Sequence, residues 1–484
     1  MVTRARQANG PKVSIVVRAD GPAAELSRAL EARGIHTSVT AELSDAVAAG
    51  AGATAFAPAE PPTPERAAAL AIACARAATD GAPVVMLAAF EPAGRDAGER
   101  AASLAYLRAH GAIICPDPDV WLEAIALVAG YGLPTGPRVA VVAPPGSWLA
   151  LSATALSAEH ATQSERAAPL YRDAASVGPT DTALVDRSEV TRSTPGRVGN
   201  ARVVPVVGRA ESLVDGAQVA LVGLRGAIDA ATVSGRAAQR IEAGVGAATP
   251  EDTAALAAEV DVDRFERQMA QLEDRAGDHE TKVMLKAWGV SITRQAVATT
   301  PSAATRIAKR AGWPVEIKPW SADVAAEPDG GPVESEVYTA PDVRRSFAAV
   351  AKDAGLPPGA PVIVRETPPS GRELRARVVR IGALGWTVIV EIAGAPGPIA
   401  APAPLREIDA REIARFVEAT RTTDPEPDRD ALVSLLVRAS HMVVAHEDRF
   451  ESLDLARVVV APRGDGAVVV DARAVLVAAD GDGE

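Results

Sequence analysis

Thr281 to Val333, TKVMLKAWGVSITRQAVATTPSAATRIAKRAGWPVEIKPWSADVAAEPDGGPV, reads as helix, short strand, helix, strand and a glycine-rich turn. Leu285 and Trp288 share one helical face ahead of Gly289, a natural helix stop. Val290-Ser291-Ile292 is apolar at alternate positions, as a strand would be. Thr300 and Pro301 supply a capping oxygen and a first-turn proline for the next helix, which runs through Ile307 and Ala308 to Gly312. Pro314 to Lys318 is then a strand that carries a lysine to its end. Alone, such a lysine would be an ordinary surface residue of an α/β unit.

The ordered set of residues says more. Leu285, Gly289, Val290, Gly312, Pro314, Val315, Lys318, Ser321, Asp323, Gly330 and Gly331 follow the pattern of an ATP-grasp domain. The version it resembles is that of the ADP-forming acyl-CoA synthetases, relatives of succinyl-CoA ligase. The resemblance implies that Lys318 touches nucleotide phosphates, a suitable task for a cation on a rigid strand. It also implies nucleotide contacts at the glycine turn Gly330-Gly331.

The chain has 484 residues, enough for about three domains, and 48% of them are apolar although only 3% are aromatic. Its core must therefore be built from small aliphatic side chains. A net charge of −12 argues against nucleic acid or an anionic membrane as the main partner. Cys74 and Cys115 have no spacing that suggests a disulfide framework or a zinc site. No apolar run reaches the ~18 residues of a membrane span, and Val13 to Val17 is too short for a signal h-region. The expected location is the cytoplasm.

Residues 12–130 alternate between strand and helix: strands at 12–17, 35–39, 54–57, 83–87 and 112–115, and helices at 23–33, 64–78, 98–109 and 118–129. Such alternation predicts a parallel sheet with crossover helices. The segments KVSIVVRADGPAAELSRALEARGI and GAPVVMLAAFEPAG resemble the first flavodoxin-like domain of the same family. Pro137 to Val142 begins a second such unit, with Asp173, Ser176, Pro179 and Asp181 matching a family loop. Residues 152–246 are less regular, 186–202 read as an exposed loop, and 219–222 read as a core strand. Thr249 to Arg275 spaces Leu256, Val260, Phe265, Met269 and Leu272 as one amphipathic helix. The run from Gly394 to Pro404 reads as a loop or a lost strand.

The expected fold is therefore α/β: two flavodoxin-like parallel-sheet domains at 11–132 and 136–248, the second irregular, a linking helix at 249–280, and an ATP-grasp domain (α+β) at 281–477. The CoA-binding Rossmann domain that the family carries ahead of these units has no counterpart before residue 11.

The family's chemistry passes phosphate through a histidine, which needs a nucleophilic imidazole and a phosphate-cradling helix N-terminus. EPAGRDAGERAASLAYLRAHGAIICPD has no matching S-H-T-G, and His110, just before a strand, is a candidate only because it is nearby. Gly21 and Gly146 survive from the family's glycine turns, but Pro144, Pro145 and Trp148 replace small residues. Prolines remove amide donors, which argues against phosphate or CoA there. In the last domain the resemblance makes Val364 to Glu366 the adenine hinge and matches Gly371 and Glu373 to the family's G-x-E. Of the metal motif in 452–458 Asp454 remains, but the ligating Asn is Ala456, and a methyl cannot supply the oxygen that Mg²⁺ requires. Asp471 matches the second metal ligand. His279-Glu280 reads as a helix-cap region.

These residues predict a protein with nucleotide ligands at Lys318, Glu366, Glu373, Gly330 and Gly331, and metal at Asp471 with Asp454. ATP or ADP and Mg²⁺ are expected in weakened form. A non-catalytic homologue acting through protein contacts is the expected role, with a homo-oligomer open. The alternative is an acyl-CoA ligase completed by a partner subunit that supplies CoA binding and the phosphohistidine.

Overall fold

A computed structural model describes residues 10–17, 23–89, 96–160, 170–171, 181–187, 190, 196–198, 201–209, 219–320, 333–420 and 425–477. The chain forms two compact units, residues 1–91 with 103–246 and residues 92–102 with 247–484.

The elements up to residue 246 are β1 (Lys12–Val17), α1 (Ala23–Glu31), β2 (His36–Thr40), α2 (Leu43–Ala48), β3 (Ala53–Ala57), α3 (Pro64–Thr79), β4 (Val84–Leu87), α4 (Ala97–Ala109), β5 (Ile113–Cys115), α5 (Pro118–Tyr131), β6 (Val139–Val142), α6 (Trp148–His160), β7 (Leu170–Tyr171), β8 (Thr182–Asp186), β9 (Arg197–Val198), β10 (Ala201–Val207), β11 (Leu221–Val222) and α7 (Leu224–Glu242). Two sheets result. The first is parallel in the order β2-β1-β3-β4-β5; the second runs β11-β10-β8-β6-β7 in parallel, with β9 antiparallel on β10. The predicted strands and helices of 12–130 are present within a few residues of their expected limits. Residues Gly21, Asp173, Ser176 and Pro179 lie outside the described residues.

Both parallel sheets belong to one core, in which Ile15 and Val85 of the first sheet join Val141 and Leu184 of the second. The link is α5, which packs on β3, β4 and β5 and also on β11 and α7. Asp117 caps α5, its carboxylate accepting the Val120 amide at 2.9 Å, ahead of Pro118. Trp121 donates its indole N–H to the Val85 carbonyl at 2.8 Å. The core is dominated by alanine and valine, and its close approaches need glycine. A Cβ on Gly235 of α7 would stand 2.1 Å from the Gly136 carbonyl oxygen, which explains a glycine in the middle of a helix. Neither α2 nor α6 was foreseen. The latter starts behind the proline pair, where Ser147 Oγ accepts the Ala150 amide.

Downstream come α8 (Pro250–Ala257), α9 (Val262–Met269), β12 (Arg275–Ala276), α10 (Asp278–Ala287), β13 (Gln295–Ala298), α11 (Pro301–Ala311), β14 (Val315–Pro319), β15 (Glu334–Val337), α12 (Ala340–Asp353), β16 (Val362–Glu366), β17 (Arg372–Arg380), β18 (Trp386–Ile392), β19 (Ile399–Pro402), α13 (Glu407–Ala419), α14 (Arg429–Ala445), β20 (Phe450–Val460) and β21 (Ala467–Leu476). The larger sheet has the order β12-β21-β20-β17-β18-β19 and the smaller β13-β16-β14-β15, with antiparallel pairing throughout. On β17, Leu374, Ala376 and Val378 enter the core with α13 and α14, so Glu373, Arg375 and Arg377 share the opposite face. On the smaller sheet, Val315, Ile317, Val362 and Val364 pack against Ala304, Ala308, Val343 and Phe347 of α11 and α12.

Three expectations are corrected. The helix expected over 249–275 is two helices, because Asp261 caps α9 through the Arg264 amide and ends the first run at 257. Phe265 and Met269 of α9 are core residues beside Trp288. The segment Val290 to Ile292 is a single parallel bridge from Ile292 to Val469, and the strand of the smaller sheet starts only at Gln295. Residues 399–402 are a strand, β19, where a loop or lost strand was expected.

Glu123 of α5 is buried, with one oxygen 2.5 Å from Arg33 and the other accepting the Val222 amide at 2.8 Å. Burial pushes its carboxyl from 4.5 up to about 7, against the pull of Arg33 and the Val222 amide. A carboxyl raised by folding contributes its stability fully below the unfolded value and loses it as pH rises through the folded one. The first unit should thus be more stable to urea at pH 5 than at pH 8, and Glu123→Gln should flatten that difference. An unchanged pH profile in the variant would remove Glu123 as its source.

Candidate functional site

The described polar centre of the second unit is built from four elements that are far apart in sequence. β14 alternates, so Glu316 and Lys318 lie on the face opposite Val315 and Ile317. β16 pairs antiparallel with β14 and sets Arg365 directly across from Glu316. Asp278 opens α10 and Lys282 follows one turn later, so both project from the same side. Asp471 comes from β21.

Together they form an ion cluster. Lys318 Nζ lies 2.5 Å from Asp471 Oδ1 and 3.1 Å from Asp278 Oδ2. Arg365 Nη1 lies 2.6 Å from the same Asp471 oxygen, while its Nε donates to Glu316 at 2.7 Å. Lys282 Nζ is 3.3 Å from Asp278 and donates to Thr293 Oγ1 at 3.1 Å, Gln295 Oε1 at 2.8 Å and the Val470 carbonyl. Asp278 Oδ1 accepts the Ala472 amide at 2.9 Å. The cluster is graded in depth: the Arg365 and Lys282 side chains are 1% and 0% exposed, whereas Lys318 and Asp471 are 9% and 10% exposed.

Burial would raise the Asp471 carboxyl, but Lys318 and Arg365 overcome it and hold the group well below the usual carboxylate range. Asp278 is treated alike: burial raises it, and Lys282 and Lys318 bring it below its ordinary value. Burial lowers Arg365, and Asp471 and Glu316 more than restore it. Lys282 is pushed down to about 7 by burial, with Asp278 pulling back.

The other candidate acids also have arginine partners. Glu366 takes the Arg294 guanidinium at 2.5 Å and the Arg294 amide at 2.8 Å. Glu373 accepts from Arg457 Nε at 3.1 Å, and Asp454 takes Arg375 through both oxygens at 2.6 and 3.0 Å. The backbone expected to hold adenine is engaged in the sheet: Val364 pairs with Ala296 and Ile317, and the Glu366 amide donates to the Arg294 carbonyl. Gly371 has a packing reason, since a Cβ there would lie 2.3 Å from the Val460 carbonyl oxygen. Gly330, Gly331, Ser321 and Asp323 lie outside the described residues. His110, at the end of α4, sets its Nδ1 2.7 Å from the Tyr106 carbonyl and stacks on Tyr106 at 4.3 Å. His279 and Glu280 lie in the first turn of α10, as expected of a cap region.

These residues fit Mg²⁺ poorly. The cation needs several oxygen ligands, yet the engaged oxygen of Asp471 is held by two basic groups and Ala456 brings none. Asp454 lies across from Arg473 rather than beside Asp471. Among the described residues no group of three or more His, Cys, Asp or Glu is placed to hold a metal ion. No helix there is long and apolar enough to cross a membrane.

Comparison with known proteins fits this architecture. Residues 268–476 match the ATP-grasp domain family model, and this part of the chain is an ATP-grasp domain. The chain is homologous there to the beta subunit of ADP-forming acetate–CoA ligases. It is 26% identical over 227 residues to the acetate–CoA ligase [ADP-forming] II subunit beta of Pyrococcus furiosus, covering 44% of this chain and 96% of that one. It is 26% identical over 208 residues to acetate–CoA ligase [ADP-forming] II of Archaeoglobus fulgidus, covering 41% of this chain and 30% of that protein. A solved acetyl-coenzyme A synthetase 1 of Ca. Korarchaeum cryptofilum, in complex with coenzyme A and Ca-AMPCP, is 23% identical with a TM-score of 0.40, covering 44% of this chain and 99% of that chain.

Reading the sequence missed Asp278, Lys282, Glu316 and Arg365. Their signals were an Asp and a Lys at i and i+4 on a helix, and charges at alternate positions of two apolar strands. Folding lowers the Lys282 pKa from 10.5 to about 7, so stability should rise with pH across that interval and level off below it. Lys282→Met should flatten this rise and cost about 3 kcal/mol by stranding Thr293, Gln295 and Asp278. Chemical denaturation between pH 6 and 10 measures both; an unaltered slope would show that Lys282 stays protonated throughout.

Proposed function

We propose that this acyl-CoA synthetase-like chain no longer carries out metal-dependent phosphoryl transfer. It keeps a weak, magnesium-indifferent affinity for ATP or ADP centred on Lys318, and it works through contacts with a protein partner. The observation that carries this reading is the seat of Asp471. An acid needed for a divalent metal here takes Lys318 at 2.5 Å and Arg365 at 2.6 Å on one oxygen. Three or more kcal/mol is the usual order of cost for breaking such a buried pair by removing one partner. A metal would have to displace both basic groups before it could bind.

The arginines on Glu366, Glu373 and Asp454 support the same reading more softly, because exposed pairs are worth about 0–1 kcal/mol and open readily. CoA enters no step of this proposal. His110 likewise enters no step of it.

A second reading has one observation in its favour. The Pyrococcus relative is itself a subunit, so an active ligase assembled with a partner that brings CoA binding and the phosphohistidine is the alternative. Calorimetric titration with ATP and ADP, with and without Mg²⁺, separates the two. Weak heats that ignore magnesium and vanish in Lys318→Ala are expected. Micromolar binding that requires magnesium would overturn the proposal and return Asp471 to the role of metal ligand.

A further inference from the structure

Lys318 and Arg365 meet at one point, and that point is a carboxylate oxygen of the chain itself. Two strand-borne cations converging on a single oxygen from β14 and β16 are the arrangement by which proteins hold oxyanions. The positive end of the ten-residue α10, which begins after Gly277 with no side-chain cap, adds to the field there. Asp278 in its first turn stays 3.1 Å from Lys318, a second carboxylate with which an external anion would have to share that lysine. The rim is partly open, because Lys318 and Asp471 each keep about a tenth of their side-chain surface in solvent. Arg365 behind them is sealed and fixed by Glu316 and the Val470 carbonyl.

We infer that this is a metal-free oxyanion seat occupied by Asp471 as an internal competitor. It would accept inorganic phosphate, pyrophosphate or the terminal phosphate of a nucleotide once the Asp471 carboxylate withdraws. The proposal rests on the reading of the domain as a phosphate-binding one without a metal, and it adds what regulates that site. An external anion must displace a covalently tethered carboxylate whose effective concentration is high, which keeps the seat closed in the resting chain. Movement of β21 relative to β14 would open it.

The test uses the full chain, EDTA, and inorganic phosphate and pyrophosphate as probes. Asp471→Ala removes the competitor and should bind pyrophosphate at least about tenfold more tightly than the native chain. Adding Lys318→Ala to that variant should abolish the gain. A folded Asp471→Ala protein with native-like pyrophosphate affinity would overturn the proposal. If this variant fails to fold in chloride, refolding in phosphate decides the matter. Recovery specific to phosphate supports an external anion in the seat, and equal failure in both salts overturns it. Failure of the wider reading would look different, since that requires magnesium-dependent nucleotide binding by the unaltered chain.

Discussion

Charge neutralisation in a dry interior is the constraint that the second unit depends on. Asp278, Glu316 and Asp471 face Lys282, Lys318 and Arg365, and none of these could be left alone there without a cost of several kcal/mol. The six residues come from α10, β14, β16 and β21, so satisfying the charges brings the smaller sheet, the larger sheet and a helix to one place. The cluster is not thereby a source of net stability, because an apolar replacement of equal volume could do as well. What it supplies is specificity of arrangement: Glu316 must stand across from Arg365, and Arg365 must reach the carbonyl of Val470.

The parallel-sheet unit solves a different problem. With few aromatic residues its core has to gain contact through close approach rather than bulk. Gly235 against Gly136, and Gly111 with its Cβ direction 2.4 Å from the Ala78 methyl, show how tightly small residues bring backbone and helix together. Glu123 is a buried acid in this core. Its two oxygens answer a guanidinium from the end of α1 and an amide from β11, so the carboxylate ties elements of both parallel sheets.

Much of this was legible in the residues. Short, nearly continuous apolar runs alternating with helices located the strands of 12–130, and apolar alternation located β14. The Thr-Pro and Gly punctuation around α11 gave its limits almost to the residue, because capping chemistry is local. What failed was whatever depended on contacts remote in sequence. Ile292 looks like a strand residue but bridges to Val469, and nothing local distinguishes that partner from β16. The break at Asp261 was hidden because Leu256, Val260 and Phe265 continue the helical spacing across it. At the site, Lys318 and Asp471 were found by their place in a motif. Lys282 and Arg365 were not, since a charged residue on an apolar face looks like a surface residue until its counter-ion is in view.

The chemistry that such a cluster permits follows from the difference between a guanidinium and a divalent ion. Both neutralise a carboxylate, but Mg²⁺ keeps open positions for phosphate oxygens and water and acts as a Lewis acid. Arg365 spends its donors on Glu316, Asp471 and the Val470 carbonyl. It can hold an oxyanion in place, yet it cannot polarise a leaving phosphate the way a coordinated metal does. Lys318, with three rotatable donors and a partly wet rim, is the adaptable member of the pair. Such an arrangement favours recognition of a phosphate over its transfer, and recognition is what a chain acting through a partner would need.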